Sequence, residues 1–192
     1  MRSCAVAAAI AVVLAACGLP NDGAPREIAA DKVPFSLLAP TSSVPAKDQT
    51  SGPVEYLYFF DGAKLRPTAL AVPSRLPIDV LSQLVKGVPD ASTGVATAIP
   101  KDTQVLAADL DDAGVLVVTL SKQMLSIIDP DQGKAFGQLV WTATGLTGVR
   151  FVRFRTTDAN GQTQDVKPTT DTGQRSDPLD RSDFRAIAPT PS

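Results

Sequence analysis

Histidine is absent from this 192-residue sequence, and cysteine and glutamate occur only twice each. Without histidine the chain cannot form a Ser-His-Asp triad, a histidine-activated cysteine, or an imidazole-ligated zinc or haem site. The other 18 of the 20 acidic residues are aspartates, which favour turns and helix starts, whereas glutamate favours helix interiors. This bias predicts a chain rich in strands and loops. The formal net charge of −2 gives no basic footprint for nucleic acid, so no nucleic-acid partner is expected.

Both cysteines lie in an N-terminal segment that has the character of an export signal. Residues 5–14 form an uncharged apolar run after Arg2, too short to span a bilayer, which takes about 20 apolar residues. The run ends in Leu14-Ala15-Ala16-Cys17, which resembles the bacterial lipobox. The resemblance implies that residues 1–16 are removed as a lipoprotein signal peptide and that Cys17 is lipidated. The protein would then be anchored to the cell membrane on its extracytoplasmic face. The alternative is an ordinary signal peptide cut after Ala16.

The rest of the chain divides into three parts by composition. Residues 17–53 contain six prolines and little hydrophobic periodicity, which predicts a lipid-anchored, Pro-rich tether. Residues 54–167 carry the strand and helix signals and are predicted to form a single folded domain. Residues 168–192 are polar and contain proline, which predicts a flexible polar tail. Leu179, Phe184 and Ile187 are the residues that could anchor part of this tail on the domain.

The predicted domain contains hairpins interrupted by two helices. The helices are expected at residues 77–86, where Pro77 suits the first turn and Gly87 the end, and at about 132–144. Strands are expected at 54–61, 64–72, 103–110, 115–120, 149–157 and 162–167. The order ββαββαββ predicts an α+β fold, a single domain with a mixed β-sheet of hairpins and both helices packed on one side.

Few residues suggest chemistry. Asp109, Asp111 and Asp112 could form a calcium site, but turn chemistry explains the same cluster. No pair of carboxylates suggests a glycosidase, and no lysine lies at the spacing that would activate a serine. We therefore predict a protein that is not an enzyme and that needs no metal or cofactor.

Four residues are candidates for an interaction surface. Arg150, Arg153 and Arg155 lie on one predicted strand and could bind an anionic partner, although such charges also protect the edge strand of a sheet. Trp141 neighbours the buried stripe of the second helix and is either core or the rim of an apolar contact patch. We predict a contact through the second helix or through strand addition at the arginine-bearing edge.

A series of short motifs resembles the GerMN domain of sporulation and spore-germination proteins, a module also found in actinobacterial envelope lipoproteins. The matching stretches are listed in chain order: Leu84-Val85-Lys86-Gly87-Val88-Pro89, Thr97-Ala98-Ile99-Pro100-Lys101-Asp102-Thr103, Val117-Val118-Thr119-Leu120-Ser121, Leu139-Val140-Trp141-Thr142-Ala143-Thr144 and Val149-Arg150-Phe151-Val152. They cover nearly all of residues 54–167 and consist of caps, turns and core positions. Three positions depart from the family pattern: Val88 separates Gly87 from Pro89, Asp102 replaces a glycine, and Thr119 stands where aspartate is usual.

The resemblance implies a non-catalytic interaction or assembly module in the cell envelope, with a protein partner or self-association. The alternative is a module that binds a lipid or a cell-wall glycan, which would require a cleft lined by apolar or aromatic side chains.

Overall fold

The computed structural model describes residues 52–88, 94–158 and 160–190. The predicted signal peptide, Cys17 and nearly all of the predicted tether lie outside these residues. Within the described ranges, none of the helices is both long enough and apolar enough to cross a membrane.

The domain begins with a two-stranded antiparallel hairpin, β1 (Val54–Asp61) and β2 (Lys64–Ala71). Gly62 adopts φ +62° in the turn, a conformation that favours glycine. Leu57 and Phe59 point from β1 into the core and are fully buried. The hairpin was predicted at this place, but it forms a sheet of its own instead of joining the main sheet.

The first helix, α1 (Pro77–Lys86), has the bounds that the sequence predicts. Ser74 stabilises the start of α1, because its hydroxyl accepts a hydrogen bond from Leu76 N and donates one to the Asp79 carboxylate. Gly87, at φ +82°, ends the helix and donates its N–H to Leu84 O. The buried stripe consists of Val80, Leu81 and Leu84.

The main sheet has four strands in the order β3-β4-β5-β6. Its strands are β3 (Val105–Leu110), β4 (Val115–Ser121), β5 (Phe151–Thr157) and β6 (Thr163–Asp165). Pairs β3–β4 and β5–β6 are antiparallel, whereas β4 and β5 are parallel, with Val117 opposite Arg153. The sheet is therefore mixed, and β4 is central as its apolar run predicts.

The second helix, α2 (Asp131–Ala143), connects the two parallel strands and is buried on several sides. It packs against α1, against β1 and β5, and against the segment after β6. Phe136 meets Phe154 of β5 with ring centroids 4.9 Å apart. Gln138 is also buried, and its side-chain oxygen accepts hydrogen bonds from Thr97 and Ala98. The α+β class predicted from the sequence is thus confirmed.

The segment after Lys167 corrects the prediction of a flexible polar tail, because residues 168–190 are folded onto the domain. It contains β7 (Thr169–Thr170), β8 (Gly173–Gln174) and a 3₁₀ element (Arg181–Ile187). Leu179 and Phe184 are 1 % and 2 % exposed, and Leu179 forms a β-bridge with Val152. Leu179 and Phe184 are two of the three anchors named from the sequence. Their burial against α2 and β5 offsets the entropy of ordering this segment.

Candidate interaction surface

The two faces of the main sheet differ in what covers them. On one face, alternate residues of β4 and β5 are fully or nearly fully buried, and both helices pack on this side. The opposite face carries no α-helix within the described residues, and its side chains are half-buried or exposed; a short 3₁₀ element, Lys122–Ser126, contacts both β4 and β5. We call the residues of this second face on the two central strands the open face: Val115, Val117, Thr119, Ser121, Phe151, Arg153, Arg155 and Thr157.

Arg153 lies at the middle of the open face, beside Val117. The residue is half-buried, and its Nε atom is buried with no hydrogen-bond partner among the described residues. A buried donor without an acceptor costs free energy, and a rotation of this half-buried side chain toward an acceptor on a partner would recover it. Arg153 is therefore the strongest candidate for a binding residue among the three arginines.

The other two arginines already have contacts. Arg155 is exposed and forms an ion pair with Asp165 of β6, with 2.9 Å between Nε and Oδ1. Arg150 precedes β5, donates its backbone N–H to Gly114 O at 2.8 Å, and holds its guanidinium 5.5 Å from the Phe151 ring centroid. The stems of such long cations shield apolar surface while their charged ends stay in water. The face is thus apolar at Val117 and Phe151 and positive around them.

The structure corrects the prediction that the arginines mark an edge strand. Strand β5 is internal, since β4 pairs with one side and β6 with part of the other. The remainder of that side is closed by Leu179, which exchanges two backbone hydrogen bonds of 2.8 Å with Val152. Because its backbone groups are already paired, β5 cannot accept an added strand.

Trp141 contacts the C-terminal segment of the same chain. Its Nε1 donates to Phe184 O at 3.3 Å, and the guanidinium of Arg181 lies 4.8 Å from its ring centroid. The Tyr58 ring lies 5.5 Å away on another side. The helix surface that the sequence offered for a partner is therefore occupied within the chain, by residues that were predicted to be a tail.

Of the three aspartates near the β3–β4 turn, Asp111 stabilises the turn. Asp111 Oδ1 accepts the backbone N–H of Val115 at 2.8 Å, and Asp111 N bonds to Val115 O. No group of three or more potential metal ligands occurs within the described residues.

A hollow of 460 Å³ lies next to the end of β3. It is lined by Leu76, Leu110 and Leu146 and flanked by the Glu55–Arg75 ion pair.

Sequence reasoning missed Val117, Thr119 and Phe151 as members of the same surface as Arg153. The run Val115-Leu116-Val117-Val118 shows no alternation of apolar and polar residues, so its two faces cannot be told apart from the sequence. The parallel register with β5, which places Val117 beside Arg153, is set by the α2 crossover.

Comparison with known proteins gives a consistent result. The family model Germane, described as sporulation and spore germination, matches residues 56–165. The first GerMN domain of the sporulation protein GerM from Bacillus subtilis is similar over 68 % of this chain and 99 % of that one, with 25 % identity and a TM-score of 0.55. No protein of curated function matches the sequence.

The tandem GerMN domains of the same Bacillus subtilis protein are 24 % identical with a TM-score of 0.56, over 69 % of this chain and 48 % of that one. This chain thus spans about half the length of the tandem structure. The family match covers more than half of the chain and confirms the resemblance drawn from its motifs, so the protein belongs to the GerMN family of sporulation and spore-germination domains.

Proposed function

We propose that this protein is a membrane-anchored, extracytoplasmic lipoprotein whose GerMN domain acts as a non-catalytic interaction module in the cell envelope. The observation that carries the proposal is the open face, with the unpartnered Nε of Arg153 at its centre. The lipobox ending in Cys17 supports the anchoring.

The open face supports a protein partner in two ways. It combines apolar surface at Val117 and Phe151 with cations, a composition that suits a partner with both apolar and acidic groups. It is also built on two central strands, which hold the side chains in fixed register without help from a loop. The partner contact that the sequence predicts at Trp141 is assigned to the open face instead, because the helix surface around Trp141 is covered by Phe184 and Arg181.

Site-specific photo-crosslinking in intact cells tests the proposed surface. A photoreactive side chain at Thr119, on the open face, should give a discrete crosslinked protein. The same group at Lys86, exposed at the end of α1, should not. Adding Arg153→Glu should reduce the Thr119 adduct by about tenfold, because the guanidinium is lost and an anion replaces it.

The charge-matched control is Lys86→Glu, which should leave the Thr119 adduct unchanged. Equal crosslinking from both positions, or an adduct insensitive to Arg153→Glu, would show that the open face is not the binding surface. A polydisperse adduct with envelope polymer would favour the glycan-binding alternative.

Anchoring has a separate test. Protein extracted from membranes should lack residues 1–16 and gain the mass of acyl chains on Cys17 when its intact mass is measured. The Cys17→Ala form should stay unprocessed or be released from the membrane, whereas Cys4→Ala should be lipidated normally, since Cys4 lies in the removed segment. A Cys17→Ala form that lacks residues 1–16 and is still retained by the membrane would contradict the proposal.

A further inference from the structure

Strand β3 is the outer strand of the main sheet, and no described strand pairs with its outer side. Its sequence, VLAADL, contains no proline, lysine or arginine. Proline and lysine are two of the usual means by which proteins prevent an edge strand from pairing with another chain; of the other means, β3 has one exposed charge, Asp109, and a bulge near its start. The other outer strands differ, since β2 carries Pro67 after the cationic Lys64 and Arg66, and β6 is only three residues long.

The backbone of β3 offers hydrogen-bonding groups at its outer side. In an antiparallel pair, alternate residues bond to the neighbouring strand and those between them point away. Asp111 N bonds to Val115 O across the turn, so Asp109, two residues earlier, also bonds to β4. The N–H and C=O groups of Ala108 and Leu110 therefore point outward.

Exposed apolar side chains accompany these backbone groups. Leu106, at a bulge in the ladder, is 45 % exposed, and Leu110 is 41 % exposed. Leu110 borders the 460 Å³ hollow, where Leu76 is also exposed. The edge thus combines unpaired backbone with apolar surface, which is the composition that strand addition requires.

The charges around β3 indicate what the partner is. Asp111 and Asp112 lie exposed at its C-terminal end, and the exposed Lys101 and Lys122 lie near its N-terminal end. A two-fold axis through Ala108 would pair β3 with β3 of a second copy in antiparallel orientation, which brings the acidic end of each copy to the basic end of the other. The same register places Leu106 of one copy beside Leu110 of the other.

We propose that this protein dimerises through its β3 strands, centred on Ala108, so that two four-stranded sheets join into one continuous sheet. The interface is separate from the open face, and the two copies would present their open faces on the same side. The inference goes beyond the proposed function and does not depend on it, because the residues that carry it lie on the edge of the sheet.

Sedimentation equilibrium of the chain without its signal segment, residues 17–192 with Cys17→Ala to exclude association through a lipid or a disulfide, tests the dimer. We expect the native sequence to dimerise and Leu110→Lys to weaken dimerisation by at least about tenfold, because it places a charge beside Leu106 of the other copy. The matched control is Ile128→Lys, since Ile128 is 81 % exposed and lies in the segment just before α2, outside β3 and outside the residues that line the hollow. This variant should dimerise as the native chain does.

A charge-reversal pair keeps the test independent of folding. Asp112→Lys should weaken the dimer, and combining it with Lys122→Asp should restore it, because both positions are exposed. A native chain that stays monomeric at all concentrations, a dimer insensitive to Leu110→Lys, or the absence of rescue by the double variant would each overturn the proposal. Loss of the Thr119 crosslink with an intact dimer would instead count against the open face alone.

Discussion

Individual residues of α2 fit closely against the C-terminal segment, which packs over this helix. Gly137 is buried within the helix, next to the side chains of Phe184 and Ile187. Glycine normally weakens a helix interior, so its presence here indicates close packing. Arg181 reinforces the contact, since its guanidinium donates to Trp141 O at 3.0 Å and to Thr144 Oγ1 at 2.8 Å.

We expect Gly137→Ala to destabilise the protein although alanine is the better helix former. The added methyl group would lie 2.5 Å from Ile187 Cδ1 and 2.9 Å from Phe184 Cδ1. The Ile187 methyl can move, but the Phe184 ring is 2 % exposed and would lose contacts with α2 if it moved. The free energy of unfolding in urea should fall by about 1–2 kcal/mol.

Combining Gly137→Ala with Ile187→Ala should recover part of this loss, since the second change removes one of the two obstructing groups. An increase in stability for Gly137→Ala alone would show that the C-terminal segment is not packed as closely as the structure has it.

At the scale of elements, the β1–β2 hairpin is fastened to α2 by hydrogen bonds. Tyr58 N, which points away from β2, donates to Thr142 Oγ1 at 3.1 Å, and the same hydroxyl donates to Gln138 O at 3.0 Å. Pro67 lies opposite Tyr58, where its missing N–H would also point away from the hairpin. These contacts explain how a hairpin outside the main sheet is held in place.

Thr142→Val tests this attachment with little change of shape. The valine leaves the Tyr58 N–H without an acceptor, so stability should fall by about 1–3 kcal/mol. Hydrogen exchange followed by NMR should show faster exchange of the Tyr58 amide. The control is Thr147→Val, at an exposed threonine, which should leave both quantities unchanged. Unchanged exchange at Tyr58 in Thr142→Val would contradict the role assigned to this hydroxyl.

The elements also show how far sequence reasoning reaches. Helix α1 and strand β1 were predicted with their observed bounds, because a proline start, a glycine stop and an aromatic, β-branched run are local signals. The C-terminal segment was predicted as a tail, because Leu179 and Phe184 stand isolated in polar sequence. Only the groove beside α2, which forms when distant elements pack, makes their burial favourable.

On the scale of the whole molecule, the two faces of the main sheet are covered unequally. On one side, α2 is enclosed by the hairpin, the main sheet and the C-terminal segment. On the other side, the open face has no α-helix over it within the described residues. This arrangement suits the proposed binding role, because a rigid interior holds the residues of the open face in a constant shape.

Removal of residues 168–192 should therefore destabilise the whole domain. The truncation uncovers α2 at Gly137 and Trp141 and removes the buried Leu179 and Phe184. We expect a loss of at least about 3 kcal/mol, measured by urea denaturation, and one cooperative transition for the full chain. A truncated chain as stable as the full one would show that the segment is only an appendage.

The sequence by itself determined the family through its ordered caps and turns and excluded the catalytic centres that need an imidazole; it also predicts a lipid anchor at the lipobox. These features are local, and each can be recognised within a few residues. The tertiary structure decided which surfaces remain available. Within the described residues, Trp141 is covered by the C-terminal segment and β5, the strand of Arg153 and Arg155, is internal. The open face has no α-helix over it, and the outer side of β3 has no paired strand. Exposure depends on contacts between residues far apart in sequence, as when Phe184 packs beside Gly137 and Leu179 pairs with Val152.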